Sequence, residues 1–374
     1  MTTERGRQAC AALSLACVVF ALLTCTARAG AAPQDAMPPY DHIFLIILEN
    51  HSSDEIIVPK SAAPELNRLA SDYGLASNYY AISHPSEPNY VAMIGGDTFG
   101  IADDDAFYCK AGAKEFGCSK SDRGSYPDHT IDAPNLAQQL DAAKISWKGY
   151  FEDIPQPGSR AYRWPSPDAP VPGRPDSLYA VKHNGFISFR SVQDDPALAT
   201  KIVGFDVFDR DAASGALPRF AVIVPNQCND MHGLHGHDVP DDCTGKTSDG
   251  LVGRADRTVA GLVAAIMGSA AWKEAGNSAI VITFDENDDD RPSSRPIGCC
   301  GTGPDEPGSP GGGWITTIVV TNHGPRHLDD PTPYNHYSLL RTIESAFGLT
   351  RFLGHAGDTG KGVVAMRPLF AVTK

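Results

Sequence analysis

Four apolar, β-branched runs stand out along the chain: His42–Leu48 (HIFLIIL), Phe220–Val224 (FAVIV), Ala279–Thr283 (AIVIT) and Ile315–Val320 (ITTIVV). None alternates cleanly between apolar and polar positions, which is the pattern of strands covered on both faces. Helical spacing lies between them, at Ala63–Tyr73, Asn135–Ala143 and from about Arg254 to Glu274. In the last of these Val259, Leu262, Val263, Ile266 and Met267 recur at one helical face. Ser338–Phe347 predicts a further helix, stopped by Gly348. Strands alternating with helices predict an α/β protein, a three-layer α/β/α sandwich on a largely parallel central sheet. Such sheets bind ligands beyond the carboxyl ends of their strands. Reading past each run gives Glu49-Asn50, Pro225-Asn226, Asp285-Glu286-Asn287 and Asn322-His323.

Composition narrows the class. The 374 residues are 42% hydrophobic and 20% charged, enough apolar content for a packed core. A formal net charge of −14 excludes a non-specific nucleic-acid binder, which needs a basic footprint. The 36 glycines and 29 prolines imply extensive loops. Gly301–Gly313 is expected as a loop at the rim of the site, and the Pro- and aromatic-rich stretch around 150–195 as a surface lobe. Residues 1–29 read as a secretory signal peptide: Arg5 and Arg7, an apolar run over Ala11–Leu23, then an Ala27-Arg28-Ala29 cleavage site. A membrane anchor and a lipoprotein-type Leu22–Cys25 box are rival readings of this segment. Cleavage leaves 30–374 as a single domain, secreted or periplasmic, with no stable membrane insertion expected.

Of nine cysteines, Cys10, Cys17 and Cys25 leave with the signal. The remaining six suggest disulfides. Short loops favour Cys109–Cys118 and Cys228–Cys243, leaving Cys299 and Cys300 to pair with each other or stay reduced.

Glu49-Asn50 and Asp285-Glu286 are adjacent oxygen donors of the kind that hold a hard divalent cation. Ser86, in His84-Pro85-Ser86-Glu87-Pro88-Asn89-Tyr90, precedes an apolar helical stretch. It reads either as a helix cap or as a nucleophile at an anion-binding helix terminus. His232, His235 and His237 allow a zinc cluster, and His336 opens the last helix.

Together, HIFLIILEN (42–50), NYYAISHPSEPNYVAMIGG (78–96), AVKHN (180–184), VPNQCNDMHG (224–233), VITFDEND (281–288) and TNHGP…PYNHYSLLRTIESAFGL (321–349) resemble a bacterial phosphoesterase family. That family contains secreted acid phosphatases and phospholipases C and lies within the alkaline phosphatase superfamily. HPSEPNY followed by GDTFG looks most similar to the acid phosphatase branch. The resemblance implies Ser86 as a nucleophile that becomes phosphorylated. It implies one divalent metal ion (Ca, Mg, Mn or Fe) held by Glu49, Asn50, Ser86, Asp285 and Glu286. His232 and His336 would be catalytic, and His183 and Asn184 substrate-binding. The substrate would be a phosphate ester, a small molecule or a lipid head group, with no nucleic-acid partner. Two departures touch the rim: the family's KHNP reads KHNG here, and E-N-D-G reads Glu286-Asn287-Asp288-Asp289. The expected function is a metal-dependent secreted phosphomonoesterase. The alternatives are a phospholipase C-type phosphodiesterase and a non-catalytic exported binding protein.

Overall fold

A computed structural model describes residues 37–245, 248–274, 276–288, 295–306 and 308–373. The signal-peptide and cleavage-site readings, and Asp289 of the rim motif, lie outside these residues.

The described residues form eleven strands: β1 (His42–Leu48), β2 (Gly74–Tyr80), β3 (Trp147–Phe151), β4 (Arg163–Trp164), β5 (Tyr179–Ala180), β6 (Ile202–Val203), β7 (Phe220–Val224), β8 (Ser278–Phe284), β9 (Trp314–Thr321), β10 (Leu328–Asp330) and β11 (Tyr334–Asn335). Nine of them make one sheet in the order β10-β2-β9-β8-β1-β7-β3-β6, with β11 on β2; β4 and β5 form a separate ribbon. β8, β1, β7, β3 and β6 pair in parallel, whereas β9 runs antiparallel to both β8 and β2.

The four apolar runs are the buried strands expected of them; β7 and β8 are buried along their whole length. Each fully buried Ile, Leu or Val contributes roughly 1.5–3 kcal/mol, so these strands form a rigid base for polar groups placed at their ends.

Reversal of β9 corrects one reading. Asn322 and His323 follow its carboxyl end but lie at the opposite edge of the sheet, where the Asn322 side chain accepts from the Ser278 N–H that opens β8 (2.8 Å). What reaches the site edge is instead the start of β9 and the glycine loop before it. An apolar run carries no sign of its direction, so the sequence could not show this.

Among the described residues ten α-helices accompany the strands: α1 (Ser53–Ile56), α2 (Pro64–Asp72), α3 (Ser86–Gly95), α4 (Leu136–Ala142), α5 (Arg190–Asp194), α6 (Pro196–Ala199), α7 (Phe205–Ser214), α8 (Ser248–Gly268), α9 (Ala270–Lys273) and α10 (His336–Ala346). α2 packs on α8 and α8 on α7, while α3 packs on α10 and α4, giving two outer layers. The single long helix expected from Arg254 to Glu274 starts earlier and breaks at Ser269, whose hydroxyl donates to the Ile266 carbonyl (2.6 Å). α10 begins at His336 because Asn335 caps it, accepting the Ser338 N–H at 3.1 Å.

All three disulfides form: Cys109–Cys118, Cys228–Cys243 and the adjacent pair Cys299–Cys300. Among the described residues no helix is long and apolar enough to cross a membrane.

Candidate active site

Three parallel strand ends and one helix start converge. Glu49 follows β1, Asp285 and Glu286 follow β8, and Asp230 sits on the loop after β7, where its Oδ1 accepts the His232 N–H (2.8 Å). Ser86 is the first residue of α3. The cap itself is Pro85, and Ser86 makes no capping bond, so the reading of Ser86 as a helix cap is corrected. Its hydroxyl is turned instead to Glu49 Oε2 and Glu286 Oε1, each at 3.1 Å. The turn is pinned by Asn89, whose Oδ1 accepts the N–H groups of Ile82 and Ser83 (3.0 and 3.2 Å).

The acidic groups are buried and crowded. Glu49, Asp230 and Asp285 are fully inaccessible, and Glu286 nearly so. Burial first, then Glu286, pushes Asp285 up to about 8. Burial and then Asp285 hold Glu49 well above the carboxylate range, and burial raises Asp230 and Glu286 too. Like charges in a dry site disfavour one another unless a cation joins them. Tyr90, one helical turn after Ser86, donates to Glu49 Oε1 at 2.6 Å. His84 Nδ1 contacts Glu286 Oε2 from the partly exposed mouth.

Several oxygens point at nothing. Asn50 Oδ1, Asp285 Oδ2 and Asn287 Oδ1 are buried without a hydrogen-bond partner. Asn50 adopts a left-handed conformation (φ 52°) that lets its N–H reach Asp285 Oδ1 at 3.1 Å. Asn287 is pressed against Gly313 (φ +85°), where any Cβ would overlap its amide.

The histidines separate into distinct roles. His183 lies between Glu49 Oε1 (Nε2, 3.1 Å) and Asp230 Oδ2 (Nδ1, 3.3 Å), stacked on Tyr90. His232 places Nε2 3.3 Å from Lys182 Nζ and donates Nδ1–H to the Gly233 carbonyl (2.8 Å). Burial and Lys182 lower both rings, His232 to about 4, so both are neutral. Glu49, His183 and His232 offer ligand atoms within 4.8 Å of one another, a possible metal site of Glu and His donors. His235 and His237 are exposed, so the three histidines form no zinc cluster. His336 is buried with both ring nitrogens engaged, Nε2 on the Asp285 carbonyl (2.7 Å) and Nδ1 on the Tyr79 hydroxyl (3.2 Å). Through the Asp285 carbonyl it positions Asp285, and both its ring nitrogens are turned to partners other than Ser86. Asn184 Nδ2 donates to the Tyr179 hydroxyl (3.1 Å) and takes no direct part in the carboxylate group.

Sequence reasoning missed Lys182. Its ammonium lies 3.5 Å from Ser86 Oγ, 3.3 Å from His232 Nε2 and 3.0 Å from Asp104 Oδ2. Burial opposes its charge, but Asp104 and Glu49 raise it above the usual lysine range. Asp104 also accepts the Glu87 N–H at 3.0 Å, tying the lysine to the first turn of α3. Behind it, buried His129 bridges Glu87 Oε2 (3.2 Å) and Asp103 Oδ1 (3.3 Å) and stacks on Tyr126. Lys182 and Asp230 stand beside quoted motif histidines, and Tyr90 at the i+4 position from Ser86. Asp103 and His129, far apart in a loop, carry no sequence signal.

Burial opposes a charged His129, but Asp103 and Glu87 raise it to about 10, above its unfolded value near 6.5. The stabilisation from its charge is therefore complete below pH 6.5 and lost as pH rises through 10. His129→Gln should lower urea-unfolding stability most at acidic and neutral pH, with the gap to wild type narrowing towards pH 10. A gap that does not change with pH would contradict a charged His129.

The mostly parallel sheet between helical layers is similar in fold to solved structures of alkaline phosphatase superfamily proteins. A solved structure of a superfamily protein from Vibrio parahaemolyticus superposes with a TM-score of 0.51 at 11% identity, covering 85% of this chain and 71% of that one. The Phosphoesterase family model matches residues 58–350, and the chain belongs to that family of hydrolases acting on phosphoric ester bonds. It is 28% identical over 331 residues to a phosphatidylinositol-3-phosphatase of Mycobacterium tuberculosis, covering 86% of this chain and 83% of that protein. It is 27% identical over 331 residues to a phosphate-repressible acid phosphatase of Penicillium chrysogenum, at 86% and 64% coverage. The chain thus spans less than two thirds of the length of the fungal acid phosphatases it matches.

Proposed function

We propose that the protein is a metal-dependent phosphomonoesterase, active outside the cytoplasm, with Ser86 as its nucleophile. The observation that carries this reading is the Ser86 hydroxyl, held at a helix start between two buried carboxylates at 3.1 Å and faced by Lys182. The acid phosphatase and phosphatidylinositol-3-phosphatase relatives support the ester class. The three disulfides suit an oxidising compartment.

The residues present fit a divalent cation. Glu49, Asn50, Asp285 and Glu286 supply hard oxygens, two of them bearing buried atoms without a partner, and the crowded charge needs a counter-ion. Such an ion, when bound, supplies charge neutralisation at the phosphoryl oxygens and favours an ionised serine.

The chain's own groups supply the rest. The Ser86 proton has acceptors in Glu49 and Glu286, and His84 on Glu286 connects that pair towards solvent. The Ser86 oxygen attacks phosphorus as the P–O bond to the leaving group breaks. The departing oxygen takes up the proton released from Ser86 to leave as the alcohol, and water then hydrolyses the phosphoserine. The N-terminus of α3 and Lys182 face the developing negative charge. His232 holds Lys182 in place, and His336 holds Asp285.

Purified enzyme should hydrolyse p-nitrophenyl phosphate strongly and p-nitrophenylphosphorylcholine weakly; preference for the diester would replace this reading with a phospholipase C-type activity. Chelation should abolish turnover and lower the thermal midpoint, since the buried acids then lose their counter-ion, and adding back one divalent metal should restore both. Full activity after complete metal removal would contradict the metal dependence.

A further inference from the structure

A groove of about 360 Å³ is lined by Pro85 and Asp104 together with Lys120, Arg123, Tyr162 and Arg163. Pro85 immediately precedes Ser86, and Asp104 holds the lysine that reaches Ser86. The groove therefore adjoins the residues that flank and position the nucleophile. Its volume is that of a small-molecule site.

Asp103, Asp104 and Asp105 also line it, yet their charge is spent inwards. Asp103 meets His129 and accepts the Asp105 N–H (3.1 Å), and Asp104 takes Lys182 and the Glu87 N–H. Asp105 accepts the N–H groups of Ser119 (2.8 Å) and Lys120 (2.7 Å) and the hydroxyls of Ser119 and Tyr126. The cations, by contrast, are left over. Lys120 and Arg163 have no carboxylate within salt-bridge distance among the described residues, and Arg123 only reaches Asp103 at 3.8 Å. Arg163 stacks over Tyr162 (5.0 Å), which fixes its plane at the wall of the groove. On a chain of net charge −14, three exposed cations converging beside the nucleophile mark a site for an anion.

We propose that this groove binds the leaving-group side of the substrate and selects phosphate esters whose leaving group carries a second phosphate. The proposal rests on the phosphatase reading of Ser86 and names the substrate class for it. One phosphoryl group sits at Ser86, while Lys120 and Arg163, with Arg123 beside them, take the other, Arg163 as a planar fork suited to phosphate oxygens. That second phosphate belongs either to a free bisphosphate or to a lipid head group joined through a phosphodiester.

The test compares kcat/KM within two matched pairs. Fructose 1,6-bisphosphate against fructose 6-phosphate reads the free source, and glycerophosphoinositol 3-phosphate against inositol 3-phosphate reads the head-group source. Wild type should prefer the member with two phosphate groups in at least one pair, well beyond the statistical gain of a second ester, and that pair identifies the source. The preference should fall about tenfold in Lys120→Gln/Arg163→Gln and persist in Lys120→Arg/Arg163→Lys. Added salt should erode it, because exposed charges are screened. No preference in either pair, or equal loss on both members of each pair in the glutamine variant, would overturn the proposal. Hydrolysis of p-nitrophenyl phosphate by wild type separates the outcomes: with that activity present, lack of preference defeats only the groove, and without it the phosphatase reading itself fails.

Discussion

Ser86→Ala should reduce kcat on p-nitrophenyl phosphate by at least about 10⁴-fold, the scale seen when a covalent nucleophile is removed. The hydroxyl makes no helix-capping bond, and its partners are the carboxylates of Glu49 and Glu286 rather than the backbone. Folding therefore loses little, and the thermal midpoint should stay within about 3 °C of wild type. A capping serine would behave in the opposite way, costing about 1 kcal/mol of stability and no chemistry. Measuring kcat and midpoint together separates the two. Near-wild-type turnover in this variant would remove Ser86 from the mechanism.

Lys182→Met should lower kcat by about 10²–10³-fold, the range found when one preorganised charge at a transition state is lost. The methionine keeps the length and apolar stem of the side chain but leaves Ser86 facing carboxylates with no ammonium 3.5 Å away. It also frees Asp104 and His232, since Lys182 contacts both. Lys182→Arg retains the charge and should recover part of kcat, which a purely structural role would not require. The effect should fall more on kcat than on KM, because the charge is needed most where negative charge develops. Equal activity in the methionine and arginine variants would contradict a charge-based role for Lys182.

These residues show how far the sequence carries. Glu49, Asp285 and Glu286 were legible because apolar runs reveal buried parallel strands, and chain polarity reveals which end of each bears the site. The same logic failed at β9, whose apolar run is equally clear but whose direction is set by pairing with β8 and β2. β2 was not recognisable as a strand because GLASNYY has no run of apolar residues. Its place comes from strand neighbours that only the folded chain supplies. Ser86 stood out by its motif, yet local capping rules would have assigned its hydroxyl to the backbone. Lys182 and Asp230 adjoin residues singled out by the resemblance, so inspection of their neighbours was the only available signal. Glu87, Asp103 and His129 are brought together by a long loop, and no spacing rule joins positions 87, 103 and 129. Nor does spacing separate His232 from His235 and His237: one points to Lys182, while the others are exposed.

The central claim is that the phosphoryl group passes through the Ser86 oxygen. Acid quenching of the metal-loaded wild-type enzyme during turnover, followed by peptide mass spectrometry, tests this directly. The expected result is a phosphate adduct on the Ser86 peptide, formed within one turnover and absent from Ser86→Ala. Rapid turnover with no adduct, or an adduct confined to another residue, would contradict it.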